Sequence, residues 1–217
     1  MAIDGNELNL LLDGAHRWFG DNNTFDDRVA AFREGHRQET GAWQAMADMG
    51  WLALSLPEAA GGFEAGVAAS FEFIRLAGKH ARPEALEVHL MLAPLVAKAC
   101  PDAAEALLTG EMRLAAADLP QTGAAEQAAG DCVLTGRSGP VLGAQAATHY
   151  VVFLTQAAGA VQAALIPADA QGVSAQAARL IDKRETVLLS LEQAVGTWLP
   201  ESDTGVSPQS LRDLAAA

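Results

Sequence analysis

Apolar positions recur at spacings of three and four along the first half of the chain, and in short alternating or continuous runs along the second. The first pattern predicts helices and the second predicts strands. From Ile3 to Phe19, residues Leu8, Leu11, Leu12, Ala15 and Phe19 form one stripe, with Asp4 placed to cap the helix. A second helix is expected over Asp26–Glu34 with Val29 and Phe32 inward, and a third over Gln38–Met49. A fourth is expected over Glu64–Ala77, with Val67, Phe71, Ile74 and Leu76 apolar. Pro83 opens a fifth at a first-turn position that tolerates it, with Leu86, Leu90, Ala93 and Ala97 as its apolar set. Pro94 inside that run predicts a kink or break near Leu90 to Ala93. Pro101–Leu108 reads as a short sixth helix, ended by Gly110.

Trp51-Leu-Ala-Leu-Ser-Leu-Pro-Glu-Ala-Ala-Gly-Gly-Phe63 lies between the third and fourth helices. Leu52, Leu54 and Leu56 alternate with small residues, which reads as a short buried extended passage. Pro57 stops it, and Gly61-Gly62 permits a backbone excursion. After Gly110 the texture changes. Met112–Ala117, Cys132–Thr135, Tyr150–Thr155, Val161–Ile166 and Val187–Leu191 are strand-like runs separated by Gly, Pro and Asp. The expected fold is α+β in two domains. An all-helical domain covers 1–109, and a small antiparallel β-barrel or sandwich covers 110–197. Residues 198–217 read as a linker and the start of a helix.

Fourteen Lys and Arg against 27 Asp and Glu give a formal charge of −13. That charge disfavours nucleic acid and anionic membrane surfaces as partners, since both require cations. No apolar run reaches the roughly 20 residues of a membrane span. Met1–Leu12 has no cationic patch ahead of an apolar core, so no secretory signal is expected, and a cytoplasmic location is.

Cys100 and Cys132 make neither a disulfide framework nor a zinc site, and both are expected as free buried thiols. Glu84, Glu87 and His89 do not share one helical face, so no metal site is assigned. His80 and His89 are read as surface or helix-end histidines, and Trp18, Trp43, Trp51 and Trp198 as core anchors. Gly136-Arg-Ser138-Gly-Pro140 lacks the glycine two residues after the serine that a nucleophile elbow requires. Gly136, Gly139 and Gly143 lack dinucleotide-binding spacing.

Gly50-Trp-Leu52, Leu56-Pro-Glu58 and Gly61-Gly62, after an amphipathic helix carrying Trp43, resemble the N-terminal domain of the acyl-CoA dehydrogenase family. Gly110-Glu111 ahead of an apolar strand is similar to the opening of that family's middle domain. Leu165-Ile-Pro-Ala-Asp-Ala-Gln-Gly-Val173 resembles a hairpin within it. The resemblance implies FAD as cofactor and α,β-dehydrogenation of an acyl-CoA thioester. Its catalytic carboxylate would come from a C-terminal helical bundle, which is expected to be absent here, so no catalytic residue is assigned.

Two flavin motifs of the family align with this sequence. In the first, Asp118 stands where the family has Glu and Gly123 where it has Gly, while Ala124 and Ala125 replace a Ser-Asp pair. In the second, Gly136-Arg-Ser-Gly-Pro140-Val141-Leu142, Ser138 replaces a Lys, Pro140 an aromatic and Leu142 a hydroxyl residue. The cofactor contacts implied are therefore Asp118, Gly123, Pro140, Val141 and Leu142. The substitutions remove a stacking ring and a donor, each loss costing about 1 kcal/mol or more where a polar partner is left unpaired.

The expected function is that of an acyl-CoA dehydrogenase-like flavoprotein of lipid metabolism, or part of one, with an acyl-CoA substrate. It would act as a homo-oligomer or beside a homologous subunit. The alternative is a degenerate, non-catalytic partner subunit of a heteromeric acyl-CoA dehydrogenase that does not bind FAD by itself. An unrelated helical-plus-β binding module would require both resemblances to be chance.

Overall fold

The structure, a computed structural model, describes residues 5–34, 41–82, 84–119, 124–127, 131–155, 161–181 and 185–199. The chain divides into two compact units, Met1–Ala97 with Asp102–Glu111, and Lys98–Pro101 with Met112–Ala217.

The first unit is helical. Its helices are α1 (Gly5–Asp21), α2 (Phe25–Glu34), α3 (Ala42–Asp48), α4 (Gly66–Lys79), α5 (Leu86–Ala99) and α6 (Ala104–Leu108). Thr24 and Asp27 cap α2 reciprocally. The Thr24 backbone N–H and hydroxyl donate to Asp27 Oδ2 at 2.9 and 2.6 Å, and the Asp27 N–H donates to Thr24 Oγ1 at 3.3 Å. These bonds hold the Asp27 carboxyl below its usual range. The proposed Asp4 cap lies outside the described residues.

Phe19, Trp51 and Phe73 form the aromatic centre of the core, each pair edge-on at centroid distances of 5.3 to 5.6 Å. Leu86, Leu90, Ala93 and Ala97 of α5 are all buried, as their spacing predicts. Pro94 does not end α5, which continues to Ala99. His89 corrects the surface reading, being fully buried and edge-on to Trp43 at 5.2 Å.

Leu52, Leu54 and Leu56 are fully buried, but the passage is not extended. Trp51–Ala53 is a 3-10 turn launched by Gly50 in the left-handed region. The N–H groups of Phe63, Glu64 and Ala65 then donate to Ala53, Leu56 and Leu54 at 2.9 to 3.0 Å. This backfolding needs the close approach at Gly62, where a Cβ would lie 2.2 Å from the Leu56 oxygen.

The second unit is a nearly closed barrel of β1 (Leu114–Leu119), β2 (Ala124–Gln127), β3 (Asp131–Leu142), β4 (His149–Thr155), β5 (Val161–Pro167), β6 (Val173–Arg179) and β7 (Glu185–Leu199). The strand order is β1-β4-β5-β7-β3-β2, with β6 also on β7. The sheet is mixed, because β1 and β4 run parallel while the other pairs are antiparallel. Cys132 is buried and Cys100 half-buried, and neither forms a disulfide among the described residues. Val152, Ile166, Leu189 and Leu191 fill the barrel centre.

The Leu165–Val173 stretch is not a hairpin. β5 and β6 follow one another along the same edge of β7, pairing through Ala163↔Leu199 to Leu165↔Thr197 and then Val173↔Leu191 to Arg179↔Glu185. Residues 168–172 are an excursion between two collinear strands, pinned where the Glu192 N–H donates to the Gly172 oxygen at 2.8 Å.

Among the described residues, no helix is long and apolar enough to cross a membrane. No group of three or more His, Cys, Asp or Glu there could hold a metal ion.

Candidate functional site

Of the positions aligned with the family's flavin motifs, those described lie on β1 and β3. Asp118 is exposed between buried Ala117 and Leu119, so strand alternation turns its side chain to the outside of the barrel. Gly123 lies outside the described residues. On β3, Val141 is buried in the barrel core, whereas Pro140 is exposed and Leu142 is 39% exposed. Pro140 and Leu142 therefore share the outer face, and Val141 offers that face only its backbone. Leu188 of β7, directly opposite Pro140 in the ladder and also exposed, extends the apolar surface. Sequence reasoning missed Leu188, because cross-strand register is not legible along one strand.

Two irregularities shape this ladder. Between Arg137↔Ser190 and Pro140↔Leu188, three steps on β3 face two on β7. The extra residue sits beside Pro140, which has no N–H to donate and is tolerated in an inner strand at such a bulge. The Ser138 hydroxyl repairs the gap, accepting the Leu189 N–H at 3.1 Å and donating to the Gly139 oxygen at 2.7 Å. The second irregularity lies between Leu134↔Ala194 and Gly136↔Leu191. There Gln193 takes a positive φ, and its N–H and side-chain amide both donate to Thr135 Oγ1.

Burial accounts for the shifted titrations in this unit. It pushes the Cys132 thiol up to about 11 and raises the Tyr150 phenol. Both are thus held protonated and suit neither nucleophile nor base. Burial also lowers His149, with Asp169 pulling the other way.

The fit of this strand to a flavin ring can be judged from its side chains. Ser138 spends its hydroxyl within the bulge. The nearby Thr186 hydroxyl is buried and donates to the Val141 oxygen at 2.8 Å. At residues 140 to 142 the outward face is aliphatic, with neither a stacking aromatic nor a side-chain donor. Residues 140 to 142 thus do not fit a flavin ring in the way the family motif implies.

These two units, a helical one of this order and a nearly closed mixed barrel, define the class of acyl-CoA dehydrogenase N-terminal and middle domains. Residues 7–113 match the model of the acyl-CoA dehydrogenase N-terminal domain. Similar solved structures include the Tcur3481-Tcur3483 steroid ACAD G363A variant, at 25% identity and a TM-score of 0.83 over 97% of this chain and 60% of that one. The ChsE4-ChsE5 complex from Mycobacterium tuberculosis is similar at 16% identity and a TM-score of 0.71, over 99% of this chain and 61% of that one. PigA with FAD and proline is similar at 17% identity and a TM-score of 0.74, over 99% of this chain and 63% of that one. The chain thus spans about three fifths of the length of these structures. No curated protein sequence matches.

Proposed function

We propose that this chain is the cofactor-poor member of an acyl-CoA dehydrogenase-type assembly. It acts beside a homologous chain that supplies the flavin grip and the carboxylate base for α,β-dehydrogenation of an acyl-CoA. The observation that carries this reading is the outer face of β3, where Pro140 and Leu142, the residues the motif resemblance aligns with ring contacts, are aliphatic and exposed, and the hydroxyls of Ser138 and Thr186 are turned onto the backbone. Two of the similar structures are described as unlike pairs, Tcur3481 with Tcur3483 and ChsE4 with ChsE5, which supports a partner of the same family. In this role the chain binds and positions the active homologue.

A second reading has the chain holding FAD itself through backbone donors near Asp118, Gly123 and Val141. The barrel fold and its likeness to PigA, described with FAD, favour it. The separating test is the visible absorbance of the purified chain after incubation with FAD and desalting, with and without a co-expressed homologue. A colourless chain whose homologous complex is yellow supports the first reading. Flavin retained by the chain alone overturns it in favour of the second.

A further inference from the structure

His16 Nδ1 and His80 Nε2 are 2.7 Å apart, with the rings tilted at a centroid distance of 4.8 Å. His16 lies on α1, and His80 closes α4 as its C-cap. The contact belongs to a clasp between the two helix ends. The Asn23 side-chain amide donates to the His80 and Ala81 oxygens at 2.7 and 3.2 Å, and Arg82 Nη1 donates to the Asn22 oxygen at 2.9 Å. Arg82 is itself buried, ion-paired with Glu84, and lies over the rings of Trp18 and Phe19.

A hydrogen bond between two imidazoles requires one of the facing nitrogens to be an acceptor. With no proton or one added proton, that condition holds. With two, both facing nitrogens carry N–H, and two like charges meet at contact distance. The charged groups facing the pair are Asp13 on α1, Glu72, Arg75 and Lys79 on α4, Arg28 on α2, and Arg82. Arg75 is paired with Glu72 and Arg82 with Glu84. Burial first, and then His16, Lys79, Arg28 and Arg82, hold the His80 ring below its ordinary range.

We propose that the His16–His80 contact is a proton-operated latch between α1 and the end of α4, closed with one added proton or none and opened by the second. The test is an NMR titration of the two rings in the full chain from about pH 8 to about pH 5, with amide exchange of α1 followed alongside. The expected result is two separated protonation steps, the second accompanied by roughly tenfold faster exchange in the last turns of α1. His16→Gln and His80→Gln, which can still hydrogen-bond but cannot titrate, should each abolish that acceleration. The latch is overturned if the rings titrate as independent single-proton groups. It is equally overturned if the acceleration persists in both variants, which would place its cause at another group such as His89.

Discussion

The indole N–H of Trp43 donates to the carbonyl oxygen of Gly110 at 2.9 Å, out of solvent. Gly110 sits at a φ of +75°, and a Cβ built there would lie 2.7 Å from Trp43 Nε1. A side chain at 110 would therefore meet backbone strain and displace the ring that satisfies its own carbonyl. Gly110→Ala should destabilise the chain by about 2–4 kcal/mol, and Trp43→Phe by about 1–3 kcal/mol through the orphaned oxygen. Urea unfolding followed by tryptophan fluorescence checks both. A Gly110→Ala variant with an unchanged midpoint would refute the close contact.

His89 makes the chain acid-sensitive. Its ring is fully buried, and among the described residues neither nitrogen has a partner in hydrogen-bond geometry. Burial lowers its pKa from 6.5 to about 4, while the Leu52 backbone pulls the other way. The unfolded chain takes up this proton first as pH falls. The neutral ring's contribution is therefore intact above about pH 6.5 and lost progressively down to about pH 4, by up to about 3 kcal/mol. His89→Leu removes both unpaired nitrogens. It should equal or exceed the natural chain in stability at pH 7 and lose less on going to pH 5. Paired urea midpoints at the two pH values decide the matter, and an equal loss in both proteins would exonerate His89.

The helices were legible because burial imposes a 3.6-residue period on their apolar residues. Ala15 and Phe19 of α1 and Leu86, Leu90, Ala93 and Ala97 of α5 are all buried. β6 left no such trace. Ser174, Ala175, Gln176 and Ala177 are all exposed, so neither face of the strand is apolar and its conformation comes from pairing with β7. The far half of β7 was hidden because the irregularity at Gln193 interrupts its alternation. Nothing local distinguishes His89 from an exposed helix histidine; only the packing of Trp43 does. At the candidate site the motif resemblance points to Pro140 and Leu142, and both lie on the outer face of β3. It could not report that the Ser138 hydroxyl is taken up by the Leu189 N–H, because that donor is 51 residues away.

The Arg82–Glu84 pair should be costly to break and sensitive to shape. The Arg82 side chain is 2% exposed and Glu84 13%, with Arg82 Nε and Nη2 donating to the two carboxylate oxygens at 2.9 and 2.6 Å. The guanidinium also lies 5.1 Å from the Trp18 ring centroid. Arg82→Ala leaves a buried carboxylate without its cation and should cost about 3–5 kcal/mol. Arg82→Lys keeps the charge but loses the fork and the stacking plane, so it should recover only part of that. The check is thermal unfolding of both variants beside Glu84→Gln. Full recovery by lysine would mean that the fork geometry contributes nothing.

If the lost flavin grip resides in β3, restoring its outer face should restore binding. Pro140 and Leu142 project outward on either side of buried Val141. Both can be enlarged or made polar without disturbing the barrel core. Pro140→Trp supplies a ring for stacking and places an aromatic against Leu188 across the ladder, a favourable cross-strand pair. Leu142→Thr supplies the missing hydroxyl on the same face. Ser138 should be left alone, because Ser138→Lys would strip the acceptor from the Leu189 N–H and cost about 1 kcal/mol. The Pro140→Trp, Leu142→Thr double variant should stay within about 1 kcal/mol of the natural chain in stability. It should also bind FAD at least about tenfold more tightly, a gain of about 1.4 kcal/mol. Flavin fluorescence quenching measures the affinity, and urea unfolding confirms the fold. A folded double variant with no gain would show that the deficit lies away from residues 140 to 142.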